Sequence, residues 1–303
     1  MTGTPGTHTG LSIVRVVIPL IVGAAMLMVL AALPDVVHKD EHGDITVRPA
    51  AAVEDITDYA QGLFTGDAWT YGSAWYKREF FDNMLPRFLR SLRYLLASGL
   101  LATTIGLLVG AWLTARRRDR LKDVVTFAGA VPDFVLALLL QMAVVAVYRK
   151  FGFRIARVAS ITNDDAAVVL PLISLTVIPA VYLVRTISAR AYVIASEDFI
   201  LVSKAAGLSR RRIWFEQITP NLTAFLRADL SKVCGMMLAN FFIVEYLFNI
   251  KGVTTLLFSF GFTSPYEYNL VMNSFLTIIV LYAIIYFALH LFVRAIDAVA
   301  LRL

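Results

Sequence analysis

The stretch that decides the fold is LRYLLASGLLATTIGLLVGAWLTA, Leu92–Ala115, which runs directly into the basic turn RRRDRLK, Arg116–Lys122. About 20 apolar residues in a helix are enough to cross the hydrocarbon core of a bilayer. Short loops rich in Lys and Arg stay on the cytoplasmic side. The stretch therefore predicts a membrane-spanning helix whose carboxyl end faces the cytoplasm. Its glycines, Gly99, Gly106 and Gly110, are expected to permit close helix packing rather than ligand contact.

The composition of the whole chain agrees with a membrane location. Of its 303 residues, 58% are hydrophobic and 17% are charged, and the mean hydropathy is +0.71. A soluble domain carries more charge than this, so we expect one all-α, polytopic integral membrane domain over residues 1–303. The basic residues behind the net charge of +6 lie between apolar runs, which favours cytoplasmic loops over nucleic-acid binding.

About six apolar runs are long enough to span a membrane. They are Leu11–Leu33, Leu92–Ala115, Val124–Tyr148, Ala166–Val184, Leu230–Ile250 and Leu270–Val293. Counting outward from the basic turn at Arg116 places both termini and residues 189–225 in the cytoplasm and residues 35–91 outside. One loop disagrees with the rule that basic loops are cytoplasmic. This predicted outer loop carries the basic residues Arg149, Lys150, Arg154 and Arg157.

The outer region carries an amphipathic pattern. Apolar side chains recur at helical spacing between Trp75 and Leu92, with charged side chains on the other face. This predicts a helix lying in the membrane interface, kinked or restarted at Pro86. A loop packed on the rim of the helix bundle is the alternative. His38 and His42 stand among acidic residues, but no closed ligand set is visible, so we expect a solvated loop and no metal site.

A second pattern lies in KAAGLSRRRIWFEQITP, Lys204–Pro220. Capping and acidic residues at 196–198 predict the start of one helix, and Gly207 can end it with a positive φ. Ser209 can cap a second helix, which Pro220 closes or kinks. The resulting turn presents small residues beside guanidinium groups, which suits insertion into a partner's cleft. The residues assigned to it are Lys204, Ala205, Ala206, Gly207, Leu208, Ser209, Arg210 and Arg211.

Polar residues inside the spans are candidates for a transport pathway. Glu245 is the most costly of them, because a carboxylate at depth faces the bundle interior or water. A structural bond near the outer end of its helix is favoured for Glu245 over substrate contact. The other candidates, for which helix–helix polar contact is an equal alternative, are Asn240, Asn273, Ser274, Thr277, Tyr282 and Tyr286.

The segment DFILVSKAAGLSRRRIWFEQITPNL, Asp198–Leu222, resembles the EAA-type coupling loop of ABC importer permeases, and in detail that of the dipeptide/oligopeptide permease family. Other stretches agree with that family: IPLIVGAAMLMVLAALP, YAQGLFTGD, VPDFVLALLLQ, IVEYLFNIKGVTTLL and YEYNLVMNS. Some features depart from its pattern, among them Val253-Thr254 in place of a second glycine. The acidic residue of the EAA motif is absent, Lys251 stands where proline is usual, and a C-terminal D-P-R is reduced to Asp297.

The resemblance implies a type I importer permease in the cell membrane of a prokaryote. It implies four partner subunits: a second, homologous permease, two cytoplasmic ATP-binding subunits and an extracytoplasmic binding protein, with membrane lipid around the spans. ATP and magnesium are expected in the partners, since this chain lacks G-x-x-x-x-G-K-[ST]. The implied cargo is a peptide or, as in close relatives, nickel or a metal chelate.

The sequence also bears on two other function classes, an intramembrane hydrolase and an ATP-independent carrier or channel. An intramembrane hydrolase is disfavoured because His290 has no accompanying G-x-S-x-G motif, so we do not expect an enzyme. An ATP-independent carrier or channel stays open as an alternative. Stoichiometric co-purification of an ATPase distinguishes an importer subunit from both.

Overall fold

The computed structural model describes residues 7–39, 45–72, 77–116, 129, 131–161, 166–261 and 266–300. The helices are α1 (Thr7–Val36), α2 (Pro49–Thr65), α3 (Phe80–Arg116), α4 (Asp133–Phe151), α5 (Val169–Ala195), α6 (Asp198–Ala205), α7 (Arg210–Ile213), α8 (Thr219–Leu247), α9 (Val253–Leu256) and α10 (Tyr268–Ala300). π-Helical turns occupy Trp214–Ile218 and Leu257–Gly261, and a 3-10 turn occupies Asp67–Trp69. The predicted all-α class is confirmed.

Two short antiparallel hairpins accompany the helices. Strand β1 (Val37–Lys39) pairs with β2 (Ile45–Val47), and β3 (Thr70–Tyr71) pairs with β4 (Arg78–Glu79). Both hairpins belong to the region between the first two predicted spans, where the sequence pattern indicated no strands.

Five helices within the described residues are long and apolar enough to cross a membrane. They are Phe80–Thr114, Asp133–Phe151, Val169–Ala195, Arg210–Leu247 and Tyr268–Val299, and each contains most of a predicted span. The first predicted span, Leu11–Leu33, falls inside α1, whose side chains are described only from Val22 onward. The start of the third predicted span, residues 124–128, and most of the basic turn, residues 117–122, lie outside the described residues.

Several predicted boundaries were wrong. The third span was expected to begin at Val124, but residues 131 and 132 are not helical and α4 begins at Asp133. The fourth span was expected to end at Val184, but α5 continues to Ala195. The fifth was expected to begin at Leu230, whereas α8 begins at Thr219. Both helices extend beyond their apolar cores because backbone hydrogen bonding continues in polar surroundings, so hydropathy marks the membrane-embedded part of a helix rather than its ends.

The separate interfacial helix predicted between Trp75 and Leu92 was also wrong in its boundaries. Trp75 lies outside the described residues, and residues 80–92 form the first turns of α3, which passes through Pro86 without restarting. A proline removes one helical hydrogen bond, and the remaining bonds keep the helix continuous. The outer region does contain a helix, α2, which the pattern did not single out; it ends at Gly66, whose φ is 95°.

The chain divides into two compact units. Unit 1 comprises Met1–Pro86 and Leu256–Ile278, and unit 2 comprises Arg87–Thr255 and Ile279–Leu303. The core of unit 1 contains Tyr59, Leu257, Tyr268 and Met272, with small residues of α1. Within unit 1 the Tyr266 hydroxyl donates a hydrogen bond to the Ala31 carbonyl.

The core of unit 2 depends on close approach between α3 and α5. A Cβ built on Gly106 would lie 2.4 Å from the Leu183 Cβ, and one built on Gly110 would lie 2.9 Å from the Ile187 Cγ2. Leu183 and Ile187 are both buried. Any larger side chain at these glycines would force the two helices apart, which confirms their predicted role in packing. Buried residues of α8 and α10, among them Leu226, Phe241 and Leu289, complete this core.

Candidate functional site

Residues 204–211, here called the Gly207 turn, follow directly from the end of α6. The Leu208 N–H donates to the Ser203 carbonyl at 3.2 Å, and the Gly207 N–H donates to the Lys204 carbonyl at 3.1 Å. These two bonds form a Schellman motif, which requires a left-handed residue at Gly207. The φ of Gly207 is 78°, as its place in the sequence predicted. A Cβ at this position would have nothing within 4 Å, so glycine is required here by backbone conformation and not by crowding.

The second helix begins as predicted but ends elsewhere. The Ser209 Oγ accepts a hydrogen bond from the Arg212 N–H at 3.3 Å, which caps α7. Pro220 neither closes nor ends that helix, because α7 continues through the π-helical turn Trp214–Ile218 into α8. Pro220 lies in the first turn of α8, where its missing N–H is tolerated.

Residues 196–198 do not all belong to the start of α6, although the sequence predicted that they would. Ser196 ends α5, because its hydroxyl donates back to the Val193 carbonyl at 2.7 Å. Glu197 occupies the N-cap position of α6 without a side-chain bond, and Asp198 lies in the first turn. The negative charge of Asp198 still favours the helix start through the helix dipole.

The base of the Gly207 turn is fixed to unit 2, whereas its apex is exposed. Ile200 and Ile213, on the two flanking helices, are buried. The Ser203 hydroxyl donates to the Phe199 carbonyl at 2.8 Å and accepts from the Gln217 Nε2 at 2.7 Å. The bond to Gln217 ties α6 to the π-helical turn. The exposed residues are Lys204, Ala205, Ala206, Gly207, Ser209, Arg210 and Arg211, and Leu208 is half-buried against the core.

Positive charge surrounds the apex. Arg212 pairs with Glu216 at 2.8 Å, four residues along the chain, but both side chains are exposed and the pair contributes little stability. The Arg211 guanidinium lies over the Phe215 ring, 5.9 Å from its centroid. Small residues at the apex allow a partner to approach closely, and the surrounding cations favour a partner that carries carboxylates.

The helix that follows the turn is tied to other spanning helices of unit 2. Near the start of α8, Thr223 donates a hydrogen bond to Asp297 of α10, and Arg227 forms an ion pair with the same carboxylate at 3.3 Å. The Arg190 guanidinium of α5 lies 4.3 Å from the centroid of the Phe225 ring. These contacts connect the start of α8 to α5 and, through Asp297, to α10.

Glu245 is enclosed by protein groups. Its side chain is 1% exposed. One carboxylate oxygen accepts from the Ser91 hydroxyl at 2.6 Å, and the other accepts from the Thr254 N–H at 2.9 Å and from the Thr254 hydroxyl. The Ser91 Oγ also accepts from the Val253 N–H at 3.0 Å. A Cβ built on Gly252 would lie 1.6 Å from the Glu245 Oε1, so glycine is the only residue that leaves room for the carboxylate.

The order of these elements agrees with one transporter family. A family model described as the binding-protein-dependent transport system inner membrane component matches residues 83–300. The chain belongs to this family. It is a permease subunit of a binding-protein-dependent ABC importer and a multi-pass plasma-membrane protein. Permeases of this family are not themselves catalytic, and in general they work with a second permease, separate ATPase subunits and a binding protein.

A solved structure resembles this permease in fold. The similar chain belongs to the MetNI methionine ABC transporter in inward-facing conformations. The match has a TM-score of 0.51 and 17% sequence identity, and it covers 70% of this chain and 95% of the other. At this identity the likeness concerns the fold alone. No curated protein sequence matches the permease.

The other predicted pathway residues of the permease each form polar contacts within their own unit. Asn273 lies in unit 1, where its amide accepts from the Tyr59 hydroxyl at 2.8 Å and donates to the Ala68 carbonyl at 2.7 Å. In unit 2, Asn240 is 2% exposed and donates to the Ser174 carbonyl at 3.1 Å. Tyr282 is half-buried, and its hydroxyl donates to the Ser231 carbonyl at 3.4 Å. Each of the three makes a helix–helix or local polar contact.

Several residues that organise the site were missed by sequence reasoning. Gln217 and Gly252 lie in stretches that resemble the family, but no role was predicted for either, and Ser91 was not singled out because its partner Glu245 is 154 residues away. Asp297 was noticed only as the remnant of a family motif, and the structure places it against α8. Of the His, Cys, Asp and Glu residues that the structure describes, no three are grouped as metal ligands.

Proposed function

We propose that this permease forms part of the pathway for peptide import and that it couples to its ATPase subunits through the Gly207 turn. The observation that carries the proposal is the Schellman turn itself. It exposes three small residues at its apex while its base is fixed to unit 2 by the buried Ile200 and Ile213. Because the base of the turn is packed in unit 2, a partner that pushes on the exposed apex would move the turn together with its two flanking helices.

The turn has the chemistry of a docking element. Ala205, Ala206 and Gly207 are small and exposed, so the apex can enter a narrow cleft. Leu208 is half-buried at its edge, where it can extend an apolar contact to the partner. Lys204 and Arg210 flank the apex and can pair with carboxylates at the rim of the cleft.

The proposed mechanism is alternating access. ATP and Mg²⁺ bind to the partner subunits, and closure of the ATPase pair pushes on the Gly207 turn. The Ser203–Gln217 bond carries this movement into α8, and the ion pair with Asp297 carries it into α10. The spans then open to the outside, where the binding protein delivers its cargo. Both termini and residues 189–225 are cytoplasmic in this scheme.

A peptide is the proposed cargo on the strength of the family-like stretches of sequence, above all Asp198–Leu222 and Ile243–Leu257. The test is uptake into proteoliposomes that contain the permease, its partner subunits and its binding protein. We expect ATP-dependent uptake of radiolabelled di- or oligopeptides. Uptake of a nickel chelate or of free methionine, with no uptake of peptides, would overturn the peptide assignment and leave the coupling proposal intact.

The coupling proposal has its own test. Affinity purification of the permease should recover ATPase subunits in stoichiometric amount. Leu208→Glu should reduce that recovery several-fold, because it places an unpaired charge in a contact that we expect to be apolar. Leu201→Glu, an exposed position on α6 outside the turn, serves as the control. Equal recovery with both variants would exclude the turn as the docking element, and absence of any ATPase would favour a carrier or channel.

A further inference from the structure

An apolar groove of about 490 Å³ lies on unit 2 beside the Gly207 turn. Its walls come from the last turns of α3, the π-helical turn, the first turns of α8 and the last turns of α10. Apolar and aromatic side chains dominate its lining, and they include Leu108, Trp214, Phe215, Leu222, Phe292 and Ile296. Leu108 is 67% exposed, so the groove is open along the surface of the spanning helices.

A polar recess of about 410 Å³ adjoins this groove. It is lined by Ser209, Arg211, Arg212, Phe215 and Glu216, so the Phe215 ring forms a wall of both spaces. Glu216 is neutralised by its ion pair with Arg212. Among the described residues no carboxylate pairs with Arg211, whose guanidinium lies over the Phe215 ring. The recess therefore presents one available cation at the border of an apolar groove.

We propose that this double site binds an anionic phospholipid, with one acyl chain in the groove and the phosphate on Arg211. The apolar groove and the polar recess share the Phe215 ring as a wall, so one ligand can occupy both. Such a ligand combines a long apolar part with an anionic group. A guanidinium binds phosphate oxygens in a planar, bidentate geometry. The groove is built from the ends of spanning helices, which are surrounded by lipid, and basic residues at that level attract anionic headgroups.

The bound lipid would contact the π-helical turn through Trp214 and Phe215. That turn connects α7 to α8 and carries Gln217, whose side chain holds α6. The lipid would thus hold in place the segment that joins the Gly207 turn to the spanning helices. This role does not depend on the identity of the transported cargo.

Trp214 provides a direct probe of the site. The full chain, with Trp69, Trp75 and Trp112 replaced by phenylalanine, is placed in nanodiscs that contain brominated phosphatidylglycerol or brominated phosphatidylcholine at equal mole fraction. Bromine quenches tryptophan on contact. We expect phosphatidylglycerol to be preferred about fivefold, which corresponds to about 1 kcal/mol for one basic side chain at a membrane surface.

Matched variants test which residues produce the preference for phosphatidylglycerol and which form the acyl-chain groove. Arg211→Gln should bring the preference close to one, whereas Arg185→Gln, which removes a charge outside both spaces, should retain it. Ala111→Leu narrows the groove, where Ala111 is part of the wall, and should lower quenching by both lipids. All variants are compared only after their helical content and membrane level match those of the parent.

Three results would overturn the proposal. Equal quenching by the two lipids in the parent would remove the headgroup selectivity. Displacement of the lipid by inorganic phosphate alone would indicate a site for a free anion. Absence of quenching in the assembled permease pair, with quenching appearing only when the pair dissociates, would assign the groove to a second permease chain.

Discussion

Replacing Gly207 by larger residues tests whether the Gly207 turn couples the permease to its ATPase subunits. The native φ of 78° lies in the left-handed region, which a β-branched residue adopts at a cost of about 1–3 kcal/mol. No atom lies within 4 Å of the position that a Cβ would occupy. The cost of adding a Cβ at Gly207 is therefore conformational and does not come from a clash with surrounding residues.

This cost can be converted into a population. A penalty of about 1–3 kcal/mol lowers the ratio of native to non-native turn conformations by about 5- to 150-fold. We expect the variant to lose the Schellman bond from the Leu208 N–H to the Ser203 carbonyl, since that bond requires the left-handed conformation, and Leu208 should then leave its half-buried place. Because Ile200 and Ile213 still pack in the core, insertion and overall stability should change little.

A graded series separates backbone conformation from side-chain size. Asparagine tolerates the left-handed region better than alanine, and alanine better than valine. Recovery of ATPase subunits and ATP hydrolysis stimulated by loaded binding protein should therefore fall in the order Gly207, Gly207→Asn, Gly207→Ala, Gly207→Val. Both quantities are measured in reconstituted membranes against the amount of permease present.

Gly152 supplies the matched control. Its φ is 74°, and a Cβ there would also have nothing within 4 Å, so Gly152→Val carries a similar backbone penalty at the end of α4. That variant should keep full ATPase recovery. The reasoning fails if Gly207→Val couples as well as the parent, or if Gly152→Val and Gly207→Val lose coupling equally.

The remaining predictions concern the carboxylates and the topology. Glu245→Gln should assemble and transport normally, because its amide oxygen can accept from the Thr254 N–H and hydroxyl while its NH2 group donates to the Ser91 Oγ. Glu245→Leu leaves buried donors unpaired at about 1–3 kcal/mol each and should reduce the recovery of monodisperse permease. Loss of transport in a fully assembled Gln variant would make the residue part of the pathway instead. In unit 1, burial, followed by the nearby carboxylates of Asp35, Asp58 and Glu54, raises the pKa of Asp55 from 3.8 to about 6. The stability that comes from protonating Asp55 is present below its ordinary pKa and is lost as the pH rises through about 6. Asp55→Asn should accordingly raise the melting temperature at pH 7.5 and change it little at pH 4, with Glu79→Gln, at an exposed position of unit 1, as the control; an equal effect of Asp55→Asn at both pH values would contradict this. Finally, cysteines at Asp44 and Asp119 should differ in labelling by an impermeant thiol reagent on intact cells, with Asp44 labelled and Asp119 protected, and equal labelling would refute the orientation.

The sequence by itself determined the features that depend on neighbouring residues. Hydropathy located the spanning helices because a run of about 20 apolar residues is sufficient for insertion. Gly207 and Ser209 defined the turn because a left-handed residue and a capping hydroxyl act within four residues of their partners. The motif around Asp198–Leu222 also indicated the importer family to which the chain belongs, while the peptide cargo stays a proposal.

Only the tertiary structure decided which remote groups meet. Glu245 accepts from Ser91, 154 residues away in the chain, and Asn273 pairs with Tyr59, 214 residues away. No periodicity encodes such pairs, because the partners are chosen by the packing of whole helices. The close approach of the Glu245 carboxylate to Gly252 also became visible only in the structure. Local patterns fix the elements of this permease, and the energetic cost of leaving buried polar groups unpaired fixes how those elements join.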